Sequence, residues 1–92
     1  PAIRRDIAVV VDEKLPVAEL IATVRSSSPA LIRSVRIFDI YRGEGIEPGL
    51  KSVAIGLILQ ETSRPLTDDD ADSATALAVQ KLQQKYAAEL RD

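Results

Sequence analysis

Apolar and polar positions alternate through residues 5–11, RDIAVVV, with Ile7, Val9 and Val11 on one parity and Asp6, Ala8 and Val10 on the other. That two-residue period predicts a first β-strand. Its near-continuous β-branched run implies one face in a core and the other at least partly covered. The period then changes. In LPVAELIATVRSSSP, Val17, Leu20, Ile21 and Val24 recur at i, i+3, i+4 and i+7, the stripe of an amphipathic helix. Pro16 suits its first helical position, and SSSP at Ser26–Pro29 stops it. Two more runs at period two follow, Ser34–Tyr41 and Lys51–Gln60. In the latter, Val53, Ile55, Leu57 and Leu59 make a strong core face. The intervening RGEGIEPGL is too long for a two-residue turn and predicts an exposed hairpin loop.

RPLTDDDADSATALAVQKLQQKY returns to helical spacing. Thr67 is a natural N-cap, with Asp70 three residues on as in a capping box. Asp68, Asp69 and Asp70 fall in the first turn, where the helix dipole favours negative charge. A capping role explains them better than a metal site, because magnesium is usually held by one or two carboxylates plus substrate phosphates, and no phosphate-cradling loop occurs. Thr75, Ala78, Val79, Leu82 and Tyr86 make the inward stripe, and AAELRD supplies a short closing strand. The order β-α-β-β-α-(β) predicts an α+β fold. It is the ferredoxin-like βαββαβ sandwich, a four-stranded antiparallel sheet with two helices on one face. The whole of 1–92 is read as a single domain.

Unbroken alternation assigns the faces. Ile7, Val9, Val11, Phe38, Ile40, Val53, Ile55, Leu57 and Leu59 go under the helices. The open face receives Asp6, Ala8, Val10, Val35, Ile37, Asp39, Tyr41, Ser52, Ala54, Gly56, Ile58 and Gln60. Asp39 is the anomaly, a carboxylate inside the good strand SVRIFDIY, two residues before an aromatic on the same face. An open face this apolar is expected to meet something other than bulk water, either another domain or a second copy of itself. Asp39 would then be a solvated edge residue that deters stacking, or part of a binding site.

Composition narrows the chemistry. The chain has no cysteine and no histidine, which excludes disulfides, the usual zinc sites and Ser-His or Cys-His nucleophiles within it. No apolar run approaches the roughly 20 residues of a membrane helix, and the expected compartment is the cytoplasm. A start at Pro1 and the lack of methionine read as a fragment of a longer polypeptide. Net charge is −2, unevenly placed: residues 1–42 carry seven Lys/Arg and five Asp/Glu, residues 43–92 five and nine. A free-standing nucleic-acid binder is usually basic, so contact with nucleic acid here would be weak and part of something larger.

Four blocks, PAIRRDIAVVVDE, SVRIFDIYRGEGI, GLKSVAIGLILQ and RPLTDDDADSA, strongly resemble the C-terminal ferredoxin-fold anticodon-binding domain of bacterial phenylalanyl-tRNA synthetase beta subunits. The likeness covers essentially the whole chain in the family's order and spacing, and FDIYRGEGI…KS is its specific block. The resemblance implies contact with the anticodon of phenylalanine tRNA, through positions matching Asp39, Tyr41 and Ser52. Asp39 suits the N–H donors on the Watson–Crick edge of guanine, the first anticodon base. Tyr41 suits stacking, and Ser52 a hydrogen bond to base or phosphate. Arg4, Arg5, Arg36, Arg42 and Lys51 remain for phosphates, a solvated strand end being the alternative for Arg4 and Arg5. The resemblance further implies that the chain itself is non-catalytic and carries no cofactor. ATP, magnesium and phenylalanine are handled by an alpha subunit, the partner in an α2β2 assembly. Where the family often has glycine before its final strand this chain has Ala87, which makes a left-handed helix exit less easy.

Two other functions fit a ferredoxin-like order. An acylphosphatase-like enzyme needs a phosphate loop and a water-orienting asparagine, and the chain has no asparagine at all. A small-molecule regulatory or protein-interaction domain would reveal itself by a thermal shift with free amino acids. An anticodon-binding domain should instead shift with the anticodon stem-loop and not with amino acids. Because the chain is small and acidic, its RNA binding should be weak and fall steeply between 50 and 200 mM salt, as followed by fluorescence anisotropy; tight, salt-insensitive binding would contradict an accessory RNA-binding module.

Overall fold

The chain folds into β1 (Ile3–Asp12), α1 (Val17–Ser27), β2 (Ile32–Tyr41), β3 (Leu50–Leu59), α2 (Asp68–Tyr86) and β4 (Glu89–Leu90). The computed structural model describes residues 1–91. The sheet order is β2-β3-β1-β4 with every pair antiparallel. Both helices pack on one face, so the architecture is the ferredoxin-like βαββαβ sandwich.

β1 and β3 pair without interruption from Ile3↔Leu59 to Asp12↔Leu50. This puts Val9 beside Val53 and Ile7 beside Ile55, on the face beneath the helices. Val9, Val53, Ile55, Leu57 and Leu59 are fully buried, as are Leu20 and Val24 of α1 and Ala78 and Leu82 of α2. The inward stripe of α2 is Ala71, Ala74, Ala78 and Leu82. Thr75, Val79 and Tyr86 lie on its half-buried flank. Alanine keeps α2 close to the sheet. The larger Tyr86 instead ties the helices together: its hydroxyl donates to the Glu19 carbonyl at 3.2 Å and meets Thr23 Oγ1 at 2.8 Å.

Helix ends follow local chemistry. Pro16 is the N-cap of α1 rather than its first helical residue, with extended backbone at φ −64° and ψ 134°. Thr67 and Asp70 form the expected capping box. The Asp70 amide donates to Thr67 Oγ1 and the Thr67 amide to Asp70 Oδ2, both at 3.1 Å. Arg64 adds an ion pair to Asp70 at 2.7 Å. Ala87 takes up the left-handed conformation at φ 54° and ψ 32°, its amide bonded to the Gln83 carbonyl. The helix thus exits through a residue with a Cβ, and the closing strand that follows is only Glu89–Leu90, paired to Val10 and Val9. Asp92, the end of the AAELRD segment, lies outside the described residues.

The face assignment of β2 needs correction. Its register against β3 shifts between Ile32 and Ser34 and again between Ile37 and Asp39. Val35 opposes Leu57 and Ile37 opposes Ile55, so both point under the helices, and Val35 is only 9% exposed. Beyond the second shift Asp39 opposes Ala54, Ile40 opposes Val53 and Tyr41 opposes Ser52. The extra residue, Phe38, is 49% exposed and lies against Arg4 rather than in the core. A β-bulge sets two residues against one, and alternation before it therefore runs out of phase with alternation after it. Unbroken parity, which assigned Phe38 inward and Val35 and Ile37 outward, fails for this reason. Asp39 and Tyr41 nevertheless hold the face the sequence predicts, whereas Ile40, although opposite Val53, is 41% exposed at the edge strand rather than buried under the helices.

Three stability outcomes follow from this packing. In urea unfolding, Leu57→Ala costs about 2–5 kcal/mol, and Val35→Ala costs clearly more than Phe38→Ala; a Phe38→Ala loss as large as that of Leu57→Ala would return the ring to the core. Ala87→Gly relieves the left-handed backbone, raising stability by up to about 1–2 kcal/mol; an unchanged melting temperature would show that the site carries no strain. Arg64, and secondarily the Thr67 amide and hydroxyl, hold the Asp70 carboxyl well below the usual carboxylate range. With the folded value depressed, this stabilisation is complete above the ordinary value near 3.8 and is lost as pH falls below it. Asp70→Asn should therefore flatten the acid limb of a stability–pH curve, and an unchanged limb would contradict the pairing.

Candidate nucleic-acid interface

The open side of the sheet is built in cross-strand rows. One row is Asp39, Ala54 and Ala8; the next is Tyr41, Ser52 and Val10. The two alanines leave nothing tall beside the exposed Asp39 carboxylate. Ionised, it only accepts hydrogen bonds, so it complements a ligand edge that presents adjacent N–H donors.

Tyr41 is held from the hairpin loop. Its hydroxyl donates to the Glu44 carbonyl at 2.8 Å. Gly43, at φ +127°, a conformation that favours glycine, lies alongside the tyrosine hydroxyl in ordinary contact range. The loop thus fixes the ring without hiding it: Tyr41 remains 36% exposed. The Arg91 guanidinium lies 5.4 Å from the ring centroid, reaching the same face from beyond β4. Ser52, directly opposite Tyr41, is only 4% exposed. Asp39 and Tyr41 thus stand at the surface of this face and Ser52 at its floor between strands.

A second feature lies along the same face. Arg4 stands over the Phe38 ring at 5.5 Å and pairs with Asp6 at 2.8 Å. Beside it a hollow of about 170 Å³ is lined by Arg4, Ser34, Arg36, Gly56 and Ile58. Gly56 keeps this floor low, since a Cβ would meet Asp6 Oδ1 at 3.3 Å.

Of the sequence-predicted site residues, Asp39, Tyr41, Ser52 and Arg4 share the open face. Arg42 is exposed at the start of the hairpin loop. Arg5 and Lys51 are elsewhere. Arg5 binds Asp68 at 3.2 Å and Asp72 at 3.1 Å, closing over the first turns of α2. Lys51 is 5% exposed and donates to the Leu15 carbonyl at 2.6 Å, anchoring the segment before α1. Both have core-face parity, opposing Leu57 and Val11 respectively. Sequence reasoning missed Phe38 and Arg91. Phe38 had a signal: Val35, Ile37 and Ile40 cannot share one covered face under unbroken alternation, so a bulge must fall between them. Arg91 had none, because only the β1–β4 pairing brings the chain end alongside. A surface hollow of about 700 Å³ lies between α1 and α2 and is lined by Thr23, Ser26, Ser27, Leu77, Lys81, Gln84 and Lys85, none of them from the open face.

The sequence profile of the ferredoxin-fold anticodon binding domain matches residues 1–91. The chain is 48% identical over 91 residues to the phenylalanine–tRNA ligase beta subunit of Xylella fastidiosa strain 9a5c, and 46% identical to that of Xanthomonas campestris pv. campestris strain 8004. Each match covers 99% of this chain and 12% of the relative, so the chain spans about an eighth of the length of these relatives.

Proposed function

Since the chain belongs to the ferredoxin-fold anticodon binding domain family, we propose that it binds the anticodon of phenylalanine tRNA on its open sheet face, as the tRNA-docking part of a phenylalanine–tRNA ligase beta subunit. One observation carries this reading. An exposed acceptor, Asp39, and a loop-braced, half-open ring, Tyr41, stand two residues apart on the same face, Asp39 beside the small Ala54 and Tyr41 beside Ser52. Guanine offers two adjacent N–H donors on its Watson–Crick edge; adenine, cytosine and uracil do not offer that pair. Asp39 accepts from them, Tyr41 stacks beneath the base, and Ser52 contributes a hydroxyl at the floor. Arg42 and Arg91 supply positive charge for the flanking phosphates.

The role is positioning, not chemistry. ATP, magnesium and phenylalanine belong to an alpha subunit in this proposal, with which the full beta chain assembles as α2β2. Docking the anticodon sets where the acceptor end of the tRNA arrives, which is how residues far from a reaction centre affect aminoacylation.

In the complete two-subunit ligase, Asp39→Ala should weaken tRNA aminoacylation by about 1–3 kcal/mol, the size of a specific base contact, and leave ATP-dependent phenylalanine activation unchanged. Its penalty should shrink on a tRNA whose first anticodon base is not guanine, whereas the Tyr41→Ala penalty of about 1–3 kcal/mol should persist there, because any base stacks. Additive penalties in the two-by-two cycle of Asp39 or Ala against guanine or another base would mean that Asp39 does not read that position.

A further inference from the structure

We propose that Phe38 and Arg4 form a second base-stacking site, which takes the nucleotide next to the one at Asp39 and Tyr41, with Arg36 meeting its phosphate; this deepens the anticodon reading and rests on it. The bulge sets Phe38 on the outer face of β2, where its ring is 49% exposed and lies against Arg4 rather than in the core. An aromatic side chain is costly to leave in water, and stacking with a base is the contact its flat face suits. Arg4 stands over the ring at 5.5 Å, a cation–π pair whose guanidinium plane offers a second stacking surface.

Position and charge name the occupant. Phe38 lies three residues from Tyr41 along β2, roughly 10 Å at strand rise, which is within the span of neighbouring nucleotides in a splayed single strand. The hollow next to it is floored by Gly56 and Ile58 and flanked by Arg4 and Arg36, two arginines against the single carboxylate of Asp6, which Arg4 already pairs. A polyanion fits that balance better than an acidic or apolar protein surface does. Phe38 carries no hydrogen-bonding group, the Arg4 guanidinium is paired to Asp6 and Arg36 is assigned to the phosphate, so no matched edge is read here. The site therefore tolerates any base, while the Asp39 site discriminates.

The test uses this chain in low-salt buffer and a hairpin carrying the phenylalanine anticodon, with the fluorescent purine 2-aminopurine at each position flanking the first anticodon base in turn. At one flanking position, fluorescence should be quenched on binding, and Phe38→Leu, which keeps bulk but removes the ring, should abolish that quenching. Phe38→Leu should also weaken binding about 5- to 150-fold, equally for every base at that position. An abasic residue there should weaken wild-type binding and erase the effect of Phe38→Leu. Because the substitution lies on the solvent side, its melting temperature should match wild type; the abasic arm needs no protein variant at all. If Asp39→Ala and Tyr41→Ala weaken binding while Phe38→Leu and the abasic hairpin do not, the second site is wrong and the first stands. If none of the three variants alters binding, or the chain binds no hairpin, the anticodon reading falls and this site with it.

Discussion

A four-stranded sheet covered on one side only must send its large apolar residues to that side, and β2 meets this demand with a bulge. Val35 and Ile37 reach the core before it, and Ile40, opposite Val53, returns to the helix side after it but stays 41% exposed at the sheet edge. The residue that absorbs the phase change, Phe38, is forced outward, and Asp39 and Tyr41 keep the outward parity. Two aromatics and a carboxylate thus stand together on an uncovered face, which uninterrupted alternation cannot arrange without withdrawing Val35 and Ile37 from the core. The fold and the candidate interface have one origin.

Charge is partitioned in the same manner. The acidic second half looks hostile to RNA, yet much of its charge is spent internally. Asp68 and Asp72 hold Arg5, and Asp70 caps α2 and holds Arg64. Exposed pairs of this kind stabilise little, and their larger consequence is spatial. They draw acidic residues to the end of α2, away from the face where Arg4, Arg36 and Arg91 stand. Lys51 is withdrawn as well, its ammonium used to hold the Leu15 carbonyl. The open face is thereby charge-balanced although the chain is acidic: Arg4, Arg36 and Arg91 stand against Asp6, Asp39 and Glu89.

Much of this was legible in the sequence. Period-two and period-3.6 runs locate five of the six elements, because burial on one face is what sets those periods; β4, two exposed residues long, shows no period. Thr67 and Asp70 announce their capping box, since a side-chain oxygen and a carboxylate three residues apart match the free amides of a helix start. Asp39 and Tyr41 were identifiable because both lie after the bulge. Phe38 was misplaced because a bulge is a one-residue event with no composition of its own. Its trace is the conflict among Val35, Ile37 and Ile40. Arg5 and Lys51 looked like phosphate ligands because sequence shows a cation but not its partner, here Asp68 and Asp72 in one case and the Leu15 carbonyl in the other. Arg91 was invisible, since only tertiary pairing brings it to Tyr41.

The central claim is that RNA lies on the uncovered face of the sheet. It is tested most directly by NMR titration of the chain with a phenylalanine anticodon stem-loop, following methyl and aromatic side-chain signals, which report one face at a time. The signals of Tyr41, Phe38, Ala54, Ala8 and Ile58 should move together as RNA is added, while those of Leu20, Leu77 and Leu82 stay still. Shifts gathered on the α1–α2 side with a silent open face would contradict it.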